Sequence, residues 1–495
     1  MTRGQPRWAG GVAVAAAAVT AASVTLVTLG SDSLSTNEAI SYQIARLPWI
    51  PIPGVVTERE ANMAVYYLLL HWWTILGQSE LMIRGLSALA ALATIPTVYG
   101  LAHRLFGARP AMIAAVVFGA NPFVALHAHY ARSYTLLMLL VTAASYSFVR
   151  GVQERSWRFW AAYCVCGALG IYTHFFAGLV LASHAVSLLF LPRREVPWRR
   201  LAASVAGMAV LLVPLLLFFL SRDVALIEWI KRPRLTALPG LLLDYSGSRT
   251  LLLAYGAAGA MALHRTVHLW RRRGIDVDAW GHALAWSWFL LPVASAFLVS
   301  YIRPVFVPRY LIVSLPPLVI LVGAGLARLR LRWLVPATSA LLVVSVPVAA
   351  NAYKEQPEQE DFRAVTRHIL ANGTPDDAIF TYRPSGRTAI EYYLARQQIN
   401  GGVAPAIVYP PTPWERAAYK IPAAVSAYRV PPEPAISVVD RATGGHDRVW
   451  LVLSHGGYTG DPQSHLIQDQ LASRYRHWRE ERFRGLRLRL YEQRR

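Results

Sequence analysis

The sequence predicts a polytopic α-helical membrane protein of about eleven spans, followed by a small α/β domain. Three observations predict this. Of 495 residues, 55% are hydrophobic and only 16% charged, whereas a soluble domain carries roughly 25% charged residues. The apolar residues gather into runs of the length needed to cross a hydrocarbon layer. From Asn351 onward these runs shorten to strand length and polar residues rise. The formal net charge of +21 would suggest nucleic acid in a soluble protein. In a membrane protein the simpler cause is topogenic, since positive residues hold loops on the cytoplasmic side, so no nucleic-acid partner is expected.

Arg3 and Arg7 precede an apolar run over Ala9–Leu29. A signal peptide has a shorter core and a small-residue cleavage site, so the run reads as a retained span with its N-terminus inside. Ser31–Glu80 then lies outside. Within it, Ala61–Gly77 is apolar, short and rich in aromatics, which suits a helix lying at the interface. Further spans are expected at 82–102, 110–127, 133–149, 157–173, 175–191, 201–220, 250–270, 283–302, 309–327 and 333–350. Every second loop is rich in arginine: Arg104 and Arg109; Arg150, Arg155 and Arg158; Arg193, Arg194, Arg199 and Arg200; Arg271, Arg272 and Arg273; Arg328, Arg330 and Arg332. That alternation fits the positive-inside rule and places the C-terminal domain outside the cell membrane. The outside loops hold His127, His129 and Arg132, then Thr173 and His174, then Ser221–Arg249, then Arg303–Arg309.

The membrane part spans residues 1–350, with its outer loop at 31–80, and the outer domain is 351–495. In that domain Ala378–Tyr382, Ala406–Tyr409 and Val449–Ser454 read as buried strands, and Leu486–Tyr491 as a half-exposed one. Arg363–Ala371, Thr388–Ala395 and Ser464–Ser473 read as helices. The basic residues Arg474, Arg476, Arg479 and Arg482 read as a solvated face, or as contacts to anionic envelope polymers. Cys164 and Cys166 sit about 200° apart on a helix and do not pair. With no H-E-x-x-H, G-x-G-x-x-G or P-loop, neither a metal nor a cofactor is expected. Asp276 and Asp278 form a D-x-D in an inside loop that has no domain to hold a nucleotide.

Arginines at outer span ends run against the topogenic rule and need another reason. Arg132, Arg309 and Arg84 each stand at the start of a span, where guanidinium groups and helix N-termini together favour an anion. Tyr310 adjoins Arg309. His174 sits at an outer span end, where it either hydrogen-bonds a substrate or sits in the headgroup zone.

Eight segments resemble the multi-spanning GT-C glycosyltransferases, in the branch of protein O-mannosyltransferases and aminoarabinose transferases. They are Ser33–Arg46, Tyr66–Gly77, Ser79–Ser87, Arg104–Pro110, Asn121–Leu137, Tyr172–Phe176, Arg303–Pro317 and Glu360–Leu394. The resemblance implies an enzyme that transfers a hexose, mannose first among them, from a polyprenyl-phosphate-linked donor. The acceptor is a glycan, lipid or protein at the outer face of the membrane. Neither nucleotide nor ATP is needed there, because the phosphate ester is itself the leaving group. The family's first outer loop reads Asp-Glu, and this chain reads Asn37-Glu38. An amide cannot act as a base. The resemblance therefore implies Glu38 as base with Asn37 orienting the substrate, or a nearby acid (Asp32, Glu58 or Glu60), or a weakened relative that binds a lipid-linked glycan or an envelope partner. A second acidic position of the family is Tyr130 here. Arg132, Arg309 and Tyr310, with Arg84 and His174 behind them, are the residues expected to hold the carrier phosphate. A transporter would place its polar groups near the midplane, whereas here they lie at span ends.

Overall fold

The computed structural model describes residues 7–26, 29–47, 63–220, 230, 232–273, 277–352, 359–397, 404–411, 435–454 and 462–494. It divides into two compact units. One comprises Met1–Thr28, Asn62–Tyr66 and Arg84–Tyr353; the other comprises Leu29–Ala61, Tyr67–Ile83 and Lys354–Arg495.

Every predicted span is helical. The helices are α1 (Arg7–Leu26), then α2 (Thr36–Arg46) and α3 (Ala64–Trp73) of the first loop, then α4 (Glu80–Phe106), α5 (Ala108–Gly119), α6 (Pro122–Ala128), α7 (Tyr134–Glu154), α8 (Trp157–Thr173), α9 (Ala177–Ser187) and α10 (Trp198–Leu220). After them come α11 (Ala237–Ser246), α12 (Arg249–Arg273), α13 (Val277–Val299), α14 (Leu315–Leu326) and α15 (Leu331–Ala352). Among the described residues five helices are long and apolar enough to cross a membrane, and six if the pair α5 and α6, bent by 52°, counts as one. α11 was not expected. It lies in the segment read as an outside loop, whose residues 221–229 and 231 are outside the described set.

The bundle packs through small residues, as membrane helices do where no water drives apolar burial. A Cβ added at Gly325 of α14 would stand 1.9 Å from the Ala258 carbonyl of α12, and one at Gly323 would stand 2.6 Å from the Pro110 carbonyl of α5. At one end of the bundle Glu154 accepts Arg150 at 2.5 Å, Arg104 at 3.0 Å and Arg158 at 3.6 Å. These arginines come from the turns expected inside. Cys164 and Cys166 are free thiols.

The second unit carries a five-stranded sheet. Its strands are β1 (Ala378–Tyr382), β2 (Ala406–Tyr409), β3 (Arg448–Leu453), β4 (Tyr475–Phe483) and β5 (Leu486–Arg494), in the order β2-β1-β3-β5-β4. β1 pairs parallel with β2 and β3, while β5 pairs antiparallel with β3 and β4. β1 and β3 are short continuous apolar runs because both faces are covered, while the edge strand β2 is only partly buried. The helices α16 (Phe362–Asn372), α17 (Arg387–Gln397), α18 (Ala435–Thr443) and α19 (Pro462–Arg474) complete the unit. Asp361 caps α16 by accepting the Ala364 N–H at 3.0 Å. Two elements were not expected, α18 and β4. Only Tyr475 of β4 is buried, so the strand has no alternating apolar signal and reads locally as a charge run. Its turn is made by Gly485 at φ +69, a left-handed value that glycine takes without cost.

Candidate active site

In the helical unit, four of the predicted residues gather at one end of the bundle. Arg132 lies in the turn before α7, His174 just after α8, and Arg309 and Tyr310 at the 3-10 turn Tyr310–Ser314 that leads into α14. The His174 and Tyr310 rings are 4.8 Å apart. The Arg309 guanidinium stands 5.6 Å from the Tyr310 ring centre. Arg132 and Arg309 both act electrostatically on His174 and on Tyr310. Tyr134 and Phe176 complete the aromatic wall, at 6.5 and 5.8 Å from Tyr310.

The proton on His174 follows from its neighbours. Its Nδ1 accepts the Phe176 N–H at 3.3 Å. A neutral ring then carries hydrogen on Nε2, and Nε2 is buried with no partner among the described residues. A buried donor is thus held beside two guanidinium groups. His127 and His129 have the opposite arrangement. Their Nδ1 atoms donate to the Phe123 and Ala125 carbonyls at 2.9 and 2.8 Å, leaving Nε2 as an acceptor when neutral.

Two helix starts nearby differ. Asn121 caps α6: its Oδ1 accepts the Val124 N–H at 3.0 Å, and its Nδ2 donates to the Tyr245 carbonyl at 2.9 Å and to the Tyr255 hydroxyl at 3.3 Å. α7 begins two residues after Arg132, and the Ser133 side chain makes no cap hydrogen bond. The N–H groups of its first turn carry partial positive charge. Arg84, near the start of α4, is fully buried. Ser87, one turn on, donates to the Arg132 carbonyl at 3.2 Å and bonds the Tyr66 hydroxyl at 2.9 Å.

Asn37 and Glu38 belong to the other unit, in the first turn of α2. Glu38 is buried, and its Oε2 accepts the Ser35 N–H at 3.0 Å and the Ser35 hydroxyl at 3.1 Å. Ser35 Oγ in turn accepts the Glu38 N–H. This is a capping box, so the carboxylate has a structural duty that its spacing from Ser35 encodes. Asn37 is half-buried. Asp32 accepts Arg484 at 2.6 Å, while Glu58 and Glu60 lie outside the described residues, as does Asp276. Sequence reasoning missed Glu360, a buried carboxylate that accepts the Thr36 hydroxyl at 2.6 Å. Its only local signal was its place at the head of a resembling segment. The same loop is tied down by Arg363, which donates to the carbonyls of Gly30, Ser31 and Asp32 at 3.0–3.2 Å and to Glu80 at 2.9 Å. Among the described residues no group of three histidine, cysteine or acidic side chains is placed to hold a metal ion.

A helical membrane bundle joined to a small mixed-sheet domain is the architecture of GT-C glycosyltransferases. Residues 62–219 match the family model of dolichyl-phosphate-mannose-protein mannosyltransferases. The fold is shared with ArnT from Cupriavidus metallidurans in the apo state, at TM-score 0.66 and 17% identity over 97% of each chain. It is shared also with that protein bound to undecaprenyl phosphate, at 0.65 and 16% over 98% of each chain. The Archaeoglobus fulgidus oligosaccharyltransferase matches at 0.56 and 10%, covering 93% of this chain and 71% of that one. No curated protein matches the sequence. The chain is a multi-pass integral membrane protein with the GT-C fold.

Proposed function

We propose that the protein is an integral-membrane glycosyltransferase that moves a hexose, mannose foremost, from a polyprenyl-phosphate carrier to an acceptor at the outer face. The supporting observation is the gathering of Arg132, Arg309, Tyr310 and the unpartnered His174 Nε2–H beside the uncapped start of α7. In this reading the acceptor hydroxyl attacks the anomeric carbon. The bond from that carbon to the phosphate oxygen breaks, and the released negative charge settles on the guanidinium groups and the His174 donor. A carboxylate takes the acceptor's proton. Glu38 is the first candidate, with Asn37 orienting the substrate. The family match over 62–219 supports the donor class. The arginine-rich end around Glu154 is taken as cytoplasmic, which puts the phosphate site and the domain 351–495 outside.

A second reading has its own observation. Asn37 offers no base and Glu38 is engaged by Ser35, so a weakened relative that binds a lipid-linked glycan is the alternative. Purified protein supplied with radiolabelled polyprenyl-phosphate-hexoses and membrane extract separates the two. Transfer by the wild type, lowered about 10²-fold by Arg132→Gln or Arg309→Gln, supports the enzyme. Transfer by Asn37→Asp alone identifies the weakened relative. Equal transfer by wild type and Glu38→Gln removes Glu38 as the base.

A further inference from the structure

At the end of the bundle expected inside, α8 and α10 share a patch of arginines and tryptophans that the transferase reading leaves unused. The two helices pack together there, with the Ser204 hydroxyl donating to the Trp160 carbonyl at 2.8 Å. Two carboxylates serve this corner. Glu154 takes Arg104, Arg150 and Arg158, and Glu195 takes Arg155 at 3.4 Å and Arg194 at 3.8 Å. Among the described residues no carboxylate pairs with Arg193, Arg199 or Arg200. The Arg200 guanidinium reaches across to α8 and stands 5.7 Å from the Trp157 ring centre. Trp157 and Trp198 are the first residues of their helices, and both are more than half exposed. The Trp198 Nε1–H donates to the Arg193 carbonyl and Arg155 donates to the Arg194 carbonyl, each at 3.1 Å, which ties the loop before α10 to both helices.

Holding a loop inside requires positive charge, but not its convergence. Arginines scattered along the loop would meet that rule, and none would need an aromatic partner. Here guanidinium groups from two helices stand beside two indole rings, and indoles favour the level where headgroups meet hydrocarbon. α10 also offers an apolar flank. Only 11% of its membrane window is buried in the protein, the smallest share among the five long spans, and Val205, Val210 and Leu217 are exposed. The matching ligand is anionic at one end and apolar along the rest. A soluble polyanion would use the arginines and leave the indoles and the flank unmatched. The patch is also separate from the carrier site, since the 17 residues of α8 put it roughly 25 Å along the helix axis from His174.

We propose that this patch binds one anionic glycerophospholipid, whose phosphate is held by Arg199 and Arg200, whose headgroup lies beside Trp157 and Trp198, and whose chains run along α10. Guanidinium groups hold a phosphate through paired donors, and basic sites between spans on the inner side bind anionic headgroups. The site belongs to the bundle and stands whether or not the chain transfers sugar.

The test uses the full chain, delipidated in a neutral detergent and titrated with phosphatidylglycerol, with native mass spectrometry counting the lipids retained. Phosphatidylcholine and inorganic phosphate are the competing ligands. Wild type is expected to hold one phosphatidylglycerol more tightly than it holds phosphatidylcholine. The double variant Arg199→Gln, Arg200→Gln should bind that lipid about thirtyfold more weakly. Glu195→Gln releases Arg155 and Arg194 and should bind it more tightly, a gain that general damage to the fold would not produce. Arg328→Gln with Arg330→Gln, in another loop expected inside, should still hold the lipid, and so should Arg132→Gln at the opposite end. The proposal is overturned if either of these controls weakens binding as far as the Arg199 and Arg200 pair, or if Glu195→Gln binds no more tightly. It is overturned equally if phosphatidylcholine is held as well as phosphatidylglycerol, or if inorganic phosphate displaces the lipid.

Discussion

The most specific residue-level feature is the proton on His174. With Nδ1 accepting a backbone N–H, the neutral ring carries its hydrogen on Nε2. His174→Phe should raise the donor KM by about tenfold, the worth of one charge-assisted hydrogen bond. His174→Gln, which keeps an N–H donor, should recover part of that, and steady-state kinetics with the labelled donor decide it. Glu38 calls for a different measurement, because its capping role predicts a stability cost separate from catalysis. Glu38→Ala should lower stability by about 1 kcal/mol, and Glu38→Gln by less, since an amide oxygen still accepts; thermal unfolding separates these from activity. Glu480 gives a pH signature. Burial alone would raise its pKa, but Arg489, Arg487 and Arg482 outweigh that and hold the carboxyl below the usual range. A depressed folded-state value stabilises the fold above the unfolded pKa of roughly 4.3 and is lost as pH falls through the folded value. Glu480→Gln should therefore flatten the acid limb of the domain's unfolding curve, and an unchanged limb would refute this assignment. His174 was visible in the sequence because an aromatic-flanked histidine stood at a span end. Glu360 was not, because its partner Thr36 lies more than three hundred positions away.

At the scale of elements, the spans were legible because crossing hydrocarbon demands a long apolar run, whatever the tertiary contacts. The strands β1 and β3 were legible for a related reason, being buried on both sides and so written as unbroken apolar runs. β4 was not, since an exposed edge strand needs no apolar face and its pairing with β5 is what makes it a strand. Helix contacts were invisible for a further reason: Gly325 is no different in sequence from Gly259 of α12. The structure separates them, since a Cβ at Gly259 meets nothing within 4 Å and one at Gly325 meets the Ala258 carbonyl at 1.9 Å. Gly325→Ala should destabilise the bundle by about 1–3 kcal/mol, whereas Gly259→Ala should leave it unchanged, as read from thermal unfolding in detergent.

At the scale of the whole molecule, the alternation of arginines predicts which ends face the cytoplasm. In a background with Cys164 and Cys166 replaced by serine, a membrane-impermeant maleimide applied to intact cells should label Ser473→Cys and leave Arg194→Cys unlabelled until the cells are opened; the reverse pattern inverts the topology. The division into units was the part the sequence concealed. Leu29–Ala61 groups with the C-terminal sheet domain through contacts such as Arg363 to the carbonyls of Gly30, Ser31 and Asp32, and no local pattern announces a partner at that separation. The unequal starts of α6 and α7 carry a consequence for hydration. Inside a bilayer an orphan N–H group costs several kcal/mol. Asn121 relieves that cost for α6, whereas the Ser133 side chain makes no cap hydrogen bond for α7. In the proposed transferase the carrier phosphate would take the place of that missing cap, so binding it would exchange water for an anion at these N–H groups.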